Sequence, residues 1–161
     1  MLLYHGSNLA VIKPQLIEQP RGLDFGAGFY LSSREEQAKR FSEIVADRRK
    51  SGIATVSVYN FDEEAAEKIL NIRRFEKADE KWLRFVADNR LKSYTGEIYD
   101  VVVGAVANDT VMPAIQAYLG GFLNEQATIL TLKTSNLFDQ WCLKSEKALF
   151  MLKYVTSYER R

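Results

Sequence analysis

The sequence predicts a single α+β domain, and three observations carry that reading. Ala54-Thr55-Val56-Ser57-Val58-Tyr59 alternates as a half-buried strand does. Tyr99-Asp100-Val101-Val102-Val103-Gly104 is a near-continuous apolar run with the length of a buried strand. Around them lie longer stretches of helical period, the first over residues 34–50, where Ala38, Phe41, Ile44 and Val45 fall along one face. At 161 residues the chain has the size of one domain and buries roughly two-thirds of its unfolded surface.

Taken in order, Leu2-Leu3-Tyr4 forms a short first strand that delivers His5, the single histidine, near its C-terminal end. Gly6 and Ser7 then turn the chain away. Residues 8–29 lack a clean period and carry Pro14, Pro20, Gly22, Gly26 and Gly28, which reads as a long surface loop of the functional kind. Phe29-Tyr30-Leu31 is a second strand. Ser32 or Ser33 is expected to cap the 34–50 helix, with Glu35 and Glu36 in its first turn, and Gly52 to end it. Residues 63–92 read as two helices, one with Ala65, Ile69 and Leu70, the other with Trp82, Leu83, Phe85, Val86 and Leu91. Asn108 or Asp109 is expected to cap a helix through Met112, Ile115, Tyr118 and Leu119, stopped by Gly120-Gly121. A further helix over 124–132 precedes a final strand over 140–144, and Ser145 and Glu146 open a short C-terminal helix. Residues 61–135 thus form a mostly helical block inserted between strands.

With 22 basic and 21 acidic residues the net charge is +1, which offers no global electrostatic case for nucleic-acid binding. The basic run Arg48-Arg49-Lys50 and the pairs Arg73-Arg74 and Arg160-Arg161 read as solvated helix or chain ends. Cys142 is the one cysteine, so an intrachain disulfide is impossible and structural zinc is disfavoured. With no second histidine to activate it, it reads as an inert buried thiol. There is no apolar leader and no long apolar stretch, so a reducing cytoplasm is the expected setting, without a membrane.

Chemistry concentrates around His5. Its ring presents one donor and one acceptor at neutral pH, and the adjacent Gly6 lets another molecule approach the backbone. Gly26-Ala27-Gly28-Phe29-Tyr30-Leu31-Ser32 sets a tyrosine just after glycines, and Phe41 follows Tyr30 by eleven positions. Together with Phe138-Asp139-Gln140-Trp141-Cys142-Leu143, these pieces resemble the H-Y-E branch of the ADP-ribosyltransferase superfamily, which contains diphtheria toxin and the poly(ADP-ribose) polymerases. Over nearly its whole length the chain is also similar to a bacterial family of uncharacterised proteins of that superfamily, proposed as toxin–antitoxin partners. Likeness to the better-studied transferases covers residues 3–8, 26–41 and 138–146.

The resemblance implies an ADP-ribosyltransferase-like split β-sheet core with a helical insertion, and NAD as co-substrate with no metal. His5 falls where the family histidine hydrogen-bonds a ribose hydroxyl of NAD. Gly6 matches the residue whose backbone holds the nicotinamide amide, and Ser7 completes that turn. Tyr30 matches the aromatic that stacks on nicotinamide, and Phe41 the ring that closes its other side, a sandwich that gains about 1 kcal/mol per ring beyond area burial. A family hydroxyl residue three positions before the second aromatic is Ala38 here. Residues 13–29 would lie over the NAD as a donor loop, with Arg21 meeting the pyrophosphate through its guanidinium fork. Asn8 caps the turn after Ser7.

The implied reaction breaks the nicotinamide–ribose bond through a ribosyl cation, which a carboxylate beside the sugar stabilises. The family places glutamate on the late strand. Gln140 aligns there: it can hold a ribose hydroxyl but cannot act as a base. Alternation puts Gln140 and Cys142 on one face and Asp139 and Trp141 on the other. Asp139 therefore replaces the glutamate only if the register slips by one, and Glu146 lies in the following helix. Three readings stay open. One is a mono-ADP-ribosyltransferase acting on a protein or nucleic acid with help from its substrate, as a toxin restrained by an antitoxin, with His5, Tyr30 and Gln140 as its catalytic residues. Another is an NAD-binding or protein-interaction module with a degenerate site. A third reading is a hydrolase using Asp100 or Asp109, with His5 structural.

Overall fold

Two sheets meet edge to edge at Tyr4 and Ser32 in the computed structural model, which describes residues 1–18, 21–135 and 137–160. Pro20 of the long loop and Arg161 of the C-terminal basic pair lie outside the described residues. The first sheet is antiparallel, with β1 (Leu2–Ser7) and β7 (Leu152–Glu159) flanking β3 (Thr55–Phe61). The second runs in the order β2 (Phe29–Leu31), β6 (Asp139–Leu143), β5 (Val101–Ala105), β4 (Ile72–Arg74), with only β4 and β5 parallel. Tyr4 and Ser32 exchange backbone hydrogen bonds of 2.9 Å each, so β1 and β2 touch there and then diverge. The fold is α+β.

The first helix, α1 (Glu35–Arg49), buries Ala38, Ser42 and Val45, an i, i+4, i+7 stripe. The expected stripe included Phe41 and Ile44, but Phe41 is exposed and Ile44 only half-buried. The physical reason is Gly6. With no side chain there, the α1 backbone lies directly on β1, and a Cβ on Gly6 would fall inside contact distance of the Ala38 carbonyl. Only small residues fit such an approach. Neither Ser32 nor Ser33 caps α1, whose first turn has no side-chain cap at Arg34. Ser32 Oγ is used across the sheet instead: it donates to the Asp139 carbonyl at 3.0 Å and accepts from the Arg34 N–H at 3.0 Å. The helix ends at Lys50, held left-handed at φ 49°, two residues before Gly52.

The block over residues 61–135 contains α2 (Glu63–Ile69), α3 (Glu80–Arg90), α4 (Met112–Leu119) and α5 (Glu125–Lys133), but it also supplies β4 and β5. It is therefore half of the second sheet and not only an insertion. Asn108 does not cap α4; its Oδ1 accepts from the Thr110 N–H at 3.0 Å in the preceding turn, and Asp109 pairs with Arg40 at 3.1 Å. Asn124 and Ser145 do cap, accepting from the N–H groups of Ala127 and Ala148 at the starts of α5 and α6 (Glu146–Phe150). The chain does not end at α6: β7 follows and pairs with β3 along its length. No helix among the described residues is long and apolar enough to cross a membrane.

The side chains of β2 and β6 divide between two cores. Phe29, Leu31, Trp141 and Leu143 face one cluster with Leu3, Tyr59 and Phe61. Cys142, with Tyr30 against it, faces the other, built from Phe25, Trp82, Leu83, Phe85 and Val102. Period-2 alternation produces this division.

Candidate functional site

His5 sits where β1 leaves β2, and its Nδ1–H donates to the Tyr30 carbonyl at 2.7 Å. Its ring stacks on Phe29 at 4.3 Å between centroids with an interplanar angle of 28°. Burial holds its pKa down at about 4, Arg49 acts in the same direction, and the Tyr30 carbonyl opposes them. The ring is therefore neutral at pH 7. A carbonyl only accepts, so the single ring proton lies on Nδ1 and Nε2 keeps its lone pair. Nε2 makes no hydrogen bond among the described residues, where no buried side-chain N or O lacks a partner, so it reaches the surface. The result is a neutral, pre-oriented acceptor.

Tyr30 points to the other side of β2 from Phe29. Its hydroxyl donates to the Gly26 carbonyl at 2.6 Å and accepts from the Phe25 N–H at 3.0 Å. Burial, with Cys142 beside it, raises the phenol well above its ordinary value. The ring is thus clamped by the glycine-rich loop. That loop is itself pinned: Lys144 Nζ donates to the carbonyls of Phe25 (2.5 Å) and Ala27 (2.8 Å), and Phe25 seats over side-chain-free Gly104. Residues 24–27 are accordingly part of the wall of the fold.

Gln140 is buried on the face that carries Tyr30. Its Nε2 donates to Asp24 Oδ2 at 3.0 Å. Asp24 is 6 % exposed; its Oδ1 accepts from Arg90 Nε at 2.5 Å and its Oδ2 from the Ala107 N–H at 3.3 Å. Asp24, Arg90 and Lys144 were not among the candidates read from the sequence. The one local signal was an acidic residue between Gly22 and Gly26; its partners lie 66 and more positions away.

The other candidates fall as follows. Phe41 is 38 % exposed on α1 and makes no ring contact with Tyr30 among the described residues. Gly6 owes its lack of a side chain to α1. Buried Ser7 donates to Asn8 Oδ1 at 3.4 Å, and Asn8 joins β1 to the end of α1, accepting from Arg49 (2.8 Å) and donating to the Ser51 carbonyl (3.0 Å). Arg21 is exposed, close enough to Arg48 and Arg90 for their charges, after partial burial, to lower its pKa. It lines a cavity of about 360 Å³ with Glu18, Asn89, Lys92 and Tyr94, on the outer side of the pinned loop. Asp139 lies on the opposite face from Gln140 and accepts from Ser32 Oγ (3.1 Å) and Trp141 Nε1 (2.9 Å), so it belongs to the sheet. Glu146 is exposed at the start of α6. Burial pushes the Cys142 thiol up to about 12. Asp100 accepts from the Asn71 N–H at 2.9 Å, tying β4 to the start of β5.

The structure therefore joins His5 to Tyr30 through the backbone, and Tyr30 to Gln140 through one sheet face and one loop. No direct contact links His5 to Gln140 among the described residues. The model of a family of proteins of unknown function (DUF3990) matches residues 1–154, and the chain belongs to that family. No curated protein and no solved structure matches it.

Proposed function

Starting from a member of that family whose one histidine is a fixed neutral acceptor, we propose an NAD-dependent mono-ADP-ribosyltransferase with a macromolecular acceptor, protein or nucleic acid. The observation that carries the reading is the His5–Tyr30 bond. It orients Nε2 as a lone-pair acceptor suited to a ribose hydroxyl, at the divergence of two sheets, one strand away from a fixed aromatic ring. His5 in this role binds and orients the sugar and moves no proton. In this reading the half-buried Tyr30 ring, packed on its inner side against the Cys142 cluster, stacks on nicotinamide, and Phe41, exposed on α1, is the second ring. NAD supplies the glycosidic bond that breaks: nicotinamide leaves with the bonding electrons, and the acceptor's nucleophile forms the new bond to the ribosyl carbon as it gives up a proton. Gln140 contributes a neutral hydrogen-bonding group beside that carbon. Control by a cognate antitoxin is part of the same proposal and rests on the family resemblance alone.

A second reading has its own observation. The late-strand residue is an amide locked to Asp24, not a free carboxylate, which suits a site that holds NAD with little turnover. Incubation with NAD labelled on the adenylate phosphate and a cell lysate separates the two. Transferred label with released nicotinamide is the expected result. Calorimetric binding without either supports the NAD-holding module, and no binding at all overturns both.

A further inference from the structure

We propose that Asp24, clamped by Arg90, is a positioning residue that turns the Gln140 amide so that its Oε1 faces the ligand, and that Asp24 is why an amide stands at position 140. The groups around Nε2 decide the orientation. Asp24 Oδ2 at 3.0 Å and the Ala105 carbonyl at 3.5 Å can only accept, so the nitrogen must occupy that end and the oxygen the other. Oε1 makes no hydrogen bond among the described residues, and since none of their buried polar side-chain atoms is unpartnered, it reaches the surface.

Asp24 has no freedom to release the amide. Arg90 occupies its Oδ1 with both Nε and Nη2 at 2.5 Å, and the Ala107 N–H shares Oδ2 with Gln140. The same arrangement explains the missing glutamate. A carboxylate at position 140 would face the Asp24 carboxylate at about the present 3.0 Å, where the two residues are only 8 % and 6 % exposed. Two such groups cannot both ionise. The late strand therefore presents an oriented neutral acceptor, with the acidic charge held one contact behind it and balanced by Arg90. That Oε1 receives a ribose hydroxyl rests on the NAD-dependent reading above; the orientation of the amide does not.

The test uses the full chain in four forms: wild type, Gln140→Glu, Asp24→Asn, and the two changes combined. Thermal melts are compared at pH 5 and pH 8. Gln140→Glu should melt near wild type at pH 5 and well below it at pH 8, because the introduced carboxyl must then ionise against Asp24. Adding Asp24→Asn should abolish that difference. An equal offset from wild type at both pH values overturns the proposed coupling without any reference to NAD. Calorimetry then tests the ligand-facing part. Asp24→Asn, which lets the amide turn over, should weaken NAD by about tenfold, the worth of one hydrogen bond, while leaving nicotinamide alone unchanged. Unaltered NAD affinity in Asp24→Asn overturns the ribose role of Oε1. If the wild-type chain binds no NAD, the NAD-dependent reading falls, and the melts still decide the amide's orientation.

Discussion

His5 and Tyr30 are joined ring to backbone, the imidazole Nδ1–H donating to the Tyr30 carbonyl at 2.7 Å, while the imidazole stacks on Phe29 and the Tyr30 ring packs against the cluster that holds Cys142. One hydrogen bond thereby does two things. It satisfies a carbonyl at the point where the sheets separate, and it assigns the ring's proton to one nitrogen.

Replacing His5 with alanine tests both roles. The Tyr30 carbonyl loses its donor and Phe29 its stacked partner, so unfolding free energy should fall by about 1–3 kcal/mol, measured by urea denaturation. NAD affinity should fall by about tenfold or more in calorimetry. Unchanged affinity in a folded His5→Ala protein rules out the ribose contact.

The lowered pKa of His5 sets a pH window. The unfolded chain takes up a proton on this ring below about 6.5, whereas the folded chain does so only near 4. Between these values the unfolded state binds more protons, so this ring's contribution to stability falls as pH drops from 6.5 to 4 and is constant below. The span is up to about 3 kcal/mol. Denaturation midpoints across that range should show the slope in wild type and a smaller one in His5→Ala. NAD binding should be flat from pH 8 to pH 5.

Tyr30→Phe separates the ring from its hydroxyl. The phenol bridges the Phe25 N–H and the Gly26 carbonyl, so its loss should cost about 1–3 kcal/mol and speed amide exchange at Phe25. The stacking face remains, so NAD should bind more tightly to Tyr30→Phe than to Tyr30→Ala.

Gly6→Ala places a Cβ against the Ala38 carbonyl and the Ser42 N–H of α1. Both are backbone atoms and cannot swing away, so the whole helix must shift. A loss of about 3 kcal/mol or more is expected, visible as a lower denaturant midpoint with or without NAD.

Cys142 is buried with its thiol pushed up to about 12. A thiol-specific reagent should label the native chain at pH 8 far more slowly than the chain in denaturant, and mild oxidants should leave the native chain without an intermolecular disulfide.

Much of the fold was legible because its signals are local. Alternation marked β3, the valine run marked β5, and Asn124 and Ser145 marked the starts of α5 and α6. Elements without such a pattern were not legible. β4 is as short as β2, but Ile72-Arg73-Arg74 lacks the apolar run that marks Phe29-Tyr30-Leu31, and β7 is mostly polar and exposed on its outer face. Phe41 illustrates the same limit: helical spacing alone cannot show that a glycine on a neighbouring strand draws the small residues inward and rotates the aromatic out.

Composition and spacing by themselves determined the α+β class, the single histidine at a strand end, the tyrosine after the glycines and the two-faced alternation of β6. These depend on neighbours within a few residues, where backbone geometry leaves few choices. Long-range pairing decided the rest: which nitrogen of His5 holds the proton, which way the Gln140 amide points, and that Asp24 stands behind it. Each of those depends on a partner 25 to 116 residues away. Hydrogen-bond polarity is a property of the pair and not of either residue alone.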